Sequence, residues 1–284
     1  MLRALVLAGL AAGCSTPAPA PGPGPAPSGI TRPRIVAHRG ASMDAPENTL
    51  AAFHAAWQLG VEAVELDVRL TRDGVVVVIH DDSTRRVAGV DRAVADQTLA
   101  ELAELDVGRW RGSAFAGERI PTLTEVLATV PAGGTVFVEI KTGADTAPAV
   151  AAVIRAADPR PRGGHVALQA FDPDALAALA GAVDWAPAYW TVGPPEVDGV
   201  MMPYPLALID DVRTRGFAGL ALDHRAVGDD FIRAARAAGI ALDVWTINDP
   251  GELSAWLARD VRFIETDQPA WVELRSGTRA PAAR

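Results

Sequence analysis

The 284-residue sequence predicts an α/β fold, a (β/α)8 barrel made irregular by a β-hairpin at its second strand and an inserted excursion at about 82–121. Two observations carry this expectation. From Arg34 onward, short β-rich runs alternate with amphipathic segments of helical length, the pattern of parallel strands joined by helices. In addition, charged residues recur at the C-terminal ends of runs that are otherwise apolar, the end where such barrels collect their chemistry.

The candidate strands are RIVAH (34–38), AVELDV (63–68), VVVVIH (75–80), TVFVEI (135–140), HVALQA (165–170), WAPAYW (185–190), GLAL (219–222), IALDVWTI (240–247) and VRFIET (261–266). Candidate helices include NTLAAFHAAWQLG, TLTEVLATV, PDALAALAGA, DDFIRAARAAG and GELSAWLARD, most opened by Asn, Asp, Thr or Pro and several closed by Gly. Nine strands exceed a barrel's eight. Because AVELDV and VVVVIH are separated only by RLTRDG, too short for a parallel crossover of about a dozen residues, they must form a hairpin. A four-residue TRDG loop would set His80 opposite Glu65, and a two-residue Asp73-Gly74 turn would set it opposite Asp67.

The N-terminus has the form of a signal peptide over residues 1–13: one positive charge at Arg3, then an apolar stretch. Cys14, the only cysteine, follows Ala11-Ala12-Gly13, which resembles the lipobox of bacterial lipoproteins; a conventional secretory signal is the alternative. Residues 14–33 read as a Pro/Ala/Gly-rich linker, 34–275 as the barrel domain and 276–284 as a disordered tail. The expected location is extracytoplasmic, with any membrane attachment through a lipid on Cys14. A net charge of -9 without a cluster of Lys and Arg argues against a nucleic-acid or anionic-membrane surface.

His38 and Arg39 end the first strand, Glu65 and Asp67 the second, and Glu139 and Lys141 the fourth candidate run. Burying such groups unpaired is costly, so they must compensate one another or bind something. Glu65, Asp67 and Glu139 suit a hard divalent cation, Ca2+ or Mg2+, with oxygen ligands. Set against Arg39 and Lys141 and one bound phosphodiester, they leave two negative charges, which such an ion neutralises. His38 and His80 titrate near neutrality and can act as general acid and base. Gln169, Trp245 and Asn248 end later strands, Gln169 and Trp245 as candidate substrate contacts, Trp245 equally as core. His224 at the end of GLALDH is a weaker candidate of the same kind. His54 reads as a helix-surface residue, and Trp57, Trp110 and Trp256 as packing residues.

Taken together, HRG, PENT, ELDV, DGVVVVIHDD, RIPTLTEVL, VEIK and VWTIND, in this order from Ile35 to Pro269, resemble the glycerophosphodiester phosphodiesterase family. The resemblance implies a TIM-type barrel in which Glu65, Asp67 and Glu139 hold the cation, His38 and His80 move protons, and Arg39 and Lys141 contact phosphate. It implies a supporting role for Glu47 around His38 or the metal, and for Asn248. The implied reaction is hydrolysis of a glycerophosphodiester to sn-glycerol 3-phosphate and an alcohol. Phe263 and Glu265 depart from the family's smaller or apolar residues. Related barrels act on intact lipids or polymer phosphodiesters, and a non-catalytic ligand-binding surface lipoprotein is a third possibility. The charged excursion, with Asp91, Arg92, Asp96, Glu101, Glu104, Arg109, Arg111, Glu118 and Arg119, favours a soluble substrate.

Overall fold

The computed structural model describes residues 32–157 and 165–271. The expected signal peptide, Cys14 and the terminal tail lie outside these residues, as does most of the linker.

Eight parallel strands close a barrel: β1 (Arg34–Ala37), β2 (Ala63–Leu70), β4 (Thr135–Ile140), β5 (His165–Ala170), β6 (Ala188–Val192), β9 (Gly219–Asp223), β10 (Ala241–Trp245) and β11 (Phe263–Thr266). Closure is made by β1, which pairs with β11 from Arg34↔Phe263 to Ala37↔Thr266 and with β2 at Val36↔Ala63 and Ala37↔Val64. The helices between strands include α1 (Leu50–Gln58), α4 (Leu123–Ala128), α6 (Pro173–Ala182) and α8 (Asp229–Ala237) at or within the expected segments, and α9 (Pro250–Trp256), which begins one residue before its expected segment. The structure adds α5 (Ala147–Ala157), α7 (Ala207–Arg215) and a small antiparallel pair, β7 (Glu196–Val197) with β8 (Val200–Met201). Among the described residues, no helix is long and apolar enough to cross a membrane.

Strand periodicity divides the core into two parts. Val64, Leu66, Val68, Val136, Val138 and Leu168 face outward and pack with the helices in the main apolar cluster. Val36, Ala63, Phe137, Ala167, Tyr189 and Phe263 form a separate cluster that plugs the barrel floor. Phe263, the unexpected bulky residue, meets the ring of Phe137 edge-on at 4.9 Å and that of Tyr189 at 5.7 Å. Gly219 makes room for this plug, since a Cβ there would lie 2.3 Å from the Ala241 carbonyl oxygen and 2.7 Å from the Tyr189 ring.

The expected hairpin forms between β2 and β3 (Val76–Val78), but in neither expected register. Leu70 pairs with Val76 and Val68 with Val78, around a three-residue loop of Arg72, Asp73 and Gly74. Gly74 takes φ +78° and the Thr71 N–H reaches the Val75 carbonyl at 3.0 Å, the bulged geometry of three-residue hairpins. Extended further, this register would set His80 opposite Leu66. The ladder instead stops after the Ile79 N–H bonds the Asp67 carbonyl, and the Arg69 guanidinium takes the His80 carbonyl at 2.8 and 2.9 Å. His80 is therefore released from strand geometry.

The excursion has its own small core: Val87, Val94, Leu102, Val107 and Ile120 cover the Val77 and Ile79 side chains. It carries α2 (Arg85–Ala88) and α3 (Leu99–Leu102), the latter opened by a Thr98/Glu101 capping box. Its charges are largely spent internally, as in Arg92–Glu101 at 2.9 Å and Arg109–Asp106 at 3.2 Å, so they say little about substrate polarity. Trp110, expected to pack, is 47% exposed.

Gly219→Ala is expected to cost about 1–3 kcal/mol, the usual range for overpacking a filled core, measured as a lower urea midpoint with unchanged slope.

Candidate active site

The strand positions above the floor plug are polar: Glu65, Glu139, Gln169, Thr191, Asp243 and Glu265 are all buried. His38, Asp67, Lys141, Trp245 and Asp267 lie one layer further toward the C-terminal mouth, Asp67 within β2 and the others at or just past their strand ends. The site is the upper half of the barrel interior.

His38 follows β1, its N–H held by the Thr266 carbonyl at 3.0 Å. Arg39 and Gly40 then turn the chain with φ of +57° and +81°. Glycine is required at 40 because a Cβ would lie 2.7 Å from the Ala52 backbone at the start of α1. The turn delivers the Arg39 N–H to Glu65 Oε2 at 3.0 Å and swings its guanidinium over Asp67, Nε to Oδ2 at 3.2 Å.

Glu65, Asp67 and Glu139 come together with one oxygen from each within 4.8 Å of the others. Lys141 Nζ stands 3.3 Å from Asp67 Oδ1 and 3.2 Å from Glu139 Oε1. Burial opposes ionisation of Asp67, but Arg39 and Lys141 outweigh it and hold its pKa down at about 2. Burial pushes Glu139 up to about 7 against the pull of Lys141, and burial with the neighbouring Asp67 and Glu139 raises Glu65 well above the carboxylate range. Glu65 Oε1 and Asp67 Oδ1 are buried without a hydrogen bond. The donor set fits a divalent cation, which would satisfy these oxygens and favour the charged forms.

Each expected catalytic histidine carries an aspartate on Nδ1: His38 with Asp267 at 2.7 Å and His80 with Asp81 at 2.8 Å. An ionised carboxylate only accepts, so Nδ1 donates and Nε2 keeps its lone pair. His38 Nε2 lies 3.9 Å from Glu65 Oε2. Burial lowers the His80 pKa, against the opposing charge of Asp67. Asn248 supports the first dyad: its Nδ2 donates to Asp267 Oδ2 at 2.5 Å and its Oδ1 accepts the Asp267 N–H at 2.9 Å. The Ser42 hydroxyl adds a contact to Asp267 Oδ1 at 2.9 Å.

Glu47 touches neither His38 nor the carboxylate cluster, contrary to expectation. It accepts from Arg39 at 3.0 Å and from Arg86 of the excursion at 2.6 and 2.8 Å, while Arg86 also grips Asp81. Glu47 and Arg86 thus tie the Arg39 side of the mouth to the His80 side. Gln169, expected to meet substrate, is buried below the mouth and donates to Asp243 Oδ2 at 2.8 Å and Glu265 Oε1 at 3.1 Å. Trp245 lines the wall, its ring 6.1 Å from that of Phe171, over which Lys141 Nζ sits at 5.3 Å. His224 is a packing residue bonded to the Trp245 carbonyl and set edge-on to Trp256, and His54 is exposed.

Asp267, Asp81, Asn48, Arg86 and Asp243 were not singled out by sequence reasoning. Asp81 and Asp267 each follow a strand-end segment, in IHDD and ETDQP, which is the signal that could have found them. Asn48, buried, donates to Asp67 Oδ2 at 2.8 Å from a left-handed backbone, φ +57°. Arg86 carries no such signal, because its role depends on how the excursion folds back.

The model of the "Glycerophosphoryl diester phosphodiesterase family" matches residues 38–270. A Bacillus subtilis glycerophosphodiester phosphodiesterase is 27% identical over 249 residues, covering 82% of this chain and 83% of that protein. A Caldanaerobacter subterraneus glycerophosphodiester phosphodiesterase is 49% identical over 110 residues, 38% of this chain and 45% of the relative, and a putative B. subtilis one is 56% identical over 93 residues, 33% and 38%. The chain thus spans less than half the length of these two curated relatives in the matched regions. Among solved structures, an Oleispira antarctica phosphodiesterase in complex with the product sn-glycerol-3-phosphate superposes with TM-score 0.77 at 28% identity, covering 87% of this chain and 98% of that one. A putative glycerophosphoryl diester phosphodiesterase from Silicibacter pomeroyi gives 0.74 at 27%, covering 87% and 94%.

Burial would raise the Asp267 pKa, but its bonds to His38, Asn248 and Ser42 hold it down at about 2. Its ionised form therefore stabilises the fold above its unfolded pKa of about 3.9, and that contribution is lost as pH falls from about 4 to 2. Urea unfolding across this window, without added metal, is expected to show a shallower loss of stability with acid in Asp267→Asn than in the parent chain.

Proposed function

The chain belongs to the glycerophosphoryl diester phosphodiesterase family, and from that membership and the geometry of the mouth we propose that it hydrolyses glycerophosphodiesters to sn-glycerol 3-phosphate and an alcohol. The observation that carries the reading is the pairing of an acidic cation cradle with two separate histidines, each backed by an aspartate.

In this reading Glu65, Asp67 and Glu139 hold one divalent cation, Ca2+ or Mg2+. When bound, it neutralises phosphate charge and polarises the phosphoryl oxygens. Arg39 and Lys141, already poised against those carboxylates, bind the non-bridging phosphate oxygens. Each histidine donates Nδ1–H to its aspartate and so presents Nε2 for proton transfer. One accepts the proton of the attacking hydroxyl or water, and the other, protonated, delivers a proton to the departing alkoxide. Asp81 and Asp267 fix the tautomer, and Glu47 with Arg86 keeps the two halves in register. The Phe171 and Trp245 rings form a wall for the alcohol portion. The signal-like sequence of residues 1–13 and the lipobox-like setting of Cys14 support a reading in which the protein is exported and held outside the cytoplasmic membrane by a lipid.

A second reading, a lysophospholipid-like diester carrying an acyl chain, draws on exposed apolar residues near the mouth. Phe171 is 47% exposed beside Lys141, Met43 is 42% exposed with its N–H on the Asp267 carbonyl, and Met202 and Leu206, after the β7–β8 pair, are 40% and 54% exposed.

The test is release of glycerol 3-phosphate from glycerophosphocholine and glycerophosphoethanolamine by the purified chain with EDTA, Ca2+ or Mg2+. Hydrolysis is expected only with metal, with kcat lowered about 10²–10⁴-fold in His38→Ala and in His80→Ala. A folded, metal-binding protein that leaves both compounds intact but cleaves lysophosphatidylcholine would favour the second reading. Intact mass of the native protein should show a diacylglyceryl adduct on Cys14 with residues 1–13 removed; an unmodified cysteine would refute the anchor.

A further inference from the structure

The upper barrel interior contains two more buried carboxyl groups than the reaction above uses. Asp243 and Glu265 lie side by side, 0% and 3% exposed, sharing the amide of Gln169. Among the described residues, neither forms an ion pair with an arginine or lysine. With Glu65, Asp67 and Glu139 they make a group of acids opposed only by Arg39 and Lys141. One divalent ion leaves that group still negative, and a bound phosphodiester makes it more so. Buried charge of this kind calls for protons or for a second cation.

Asp243 and Glu265 are hydrogen-bonded to each other, so one proton held between them meets part of this demand, and a second cation position meets the rest. His38, Glu65 and Glu265 each place one ligand atom within 4.8 Å of the other two, so Glu65 belongs to this group as well as to the group with Asp67 and Glu139. Glu65 Oε1, buried and without a hydrogen bond, is free for the first ion, and Oε2, 3.9 Å from His38 Nε2 and accepting the Arg39 N–H at 3.0 Å, is the oxygen that would face the second. The His38 ring is oriented as metal-ligating histidines are, with Nδ1–H on a carboxylate at 2.7 Å and Nε2 turned to an acidic group. With metal–ligand bonds of about 2.0–2.2 Å, atoms around one ion stand about 3 to 4.5 Å apart, so only a small contraction is needed. We propose that His38, Glu65 and Glu265 form a second divalent-cation position that shares Glu65 with the first and takes an ion accepting one imidazole nitrogen and two carboxylates, such as Mn2+ or Zn2+. Because that ion occupies Nε2 of His38, it removes the lone pair used in proton transfer, and the position is inhibitory. This consequence rests on the function proposed above; the site itself does not.

The full chain, stripped with EDTA, would be dialysed against Mn2+ and compared with Glu265→Ile and Glu265→Gln, with bound metal counted and electron paramagnetic resonance recorded. Mn2+, a hard ion, avoids competition from the Cys14 thiol. The parent chain is expected to bind two ions giving an exchange-coupled spectrum. Glu265→Ile should bind one ion with an uncoupled spectrum, and Glu265→Gln should bind the second at least tenfold more weakly. If Glu265→Ile does not fold by circular dichroism, the near-isosteric Gln variant decides. One ion in the parent chain, or a second ion bound unchanged by Glu265→Gln, would overturn the proposal. Glycerophosphocholine hydrolysis measured alongside separates the two readings. Turnover with only one ion bound at saturating Mn2+ removes the second site alone, whereas two coupled ions in the parent chain, with no turnover on any diester by the parent chain at one equivalent of Mn2+ or by Glu265→Gln, leave the site and remove the function.

Discussion

The interior of this barrel is organised by the cost of burying carboxylates. Above an aromatic floor of Phe137, Tyr189 and Phe263, the strand positions that would ordinarily carry branched apolar side chains carry Glu65, Glu139, Gln169, Thr191, Asp243 and Glu265. Each acid sits where its ionised form is expensive, and Arg39 and Lys141 are too few to compensate them. Folding can hold such a layer only because the outward face of every strand is apolar and packed under helices. The stability of the outer core thus supports an interior that is electrostatically incomplete by itself.

Around this layer the polar groups are arranged as linked supports. The two histidines reach the mouth from different elements, His38 from the end of β1 and His80 from beyond the hairpin, yet each is oriented by an aspartate on the same ring nitrogen. The sequence Arg39, Glu47, Arg86, Asp81 joins them through alternating charges. A bidentate guanidinium on a carboxylate sets direction as well as distance, so Arg86 can hold the excursion in place without touching the reacting groups. The excursion thus serves as a strut between the two sides of the mouth.

Much of this was legible beforehand. Strand-end charges in apolar runs identified His38, Arg39, Glu65, Asp67, Glu139 and Lys141, because alternation with period two already assigns Glu65 and Asp67 to one face. The hairpin was legible as well, since no parallel crossover fits in RLTRDG. Its register was not: loops of two, three or four residues differ by small local preferences, and the bulge at Gly74 selected the odd one. That choice would have turned His80 away from the site had Arg69 not captured its carbonyl. Glu47 and Gln169 were recognised as site residues but paired differently, with Arg86 and with Asp243 and Glu265, because partner choice depends on strands and loops remote in sequence.

By itself, then, the sequence determined the repeating α/β pattern, the barrel end that carries chemistry and the residue types gathered there, since these follow from local periodicity and from the penalty on unpaired buried charge. Tertiary structure decided which carboxylate meets which cation, which aspartate orients each histidine, and that Glu265 lies within reach of His38 and Glu65. Those outcomes depend on closing β1 against β11, which brings residues more than two hundred positions apart into one layer. No short-range preference encodes a contact of that span.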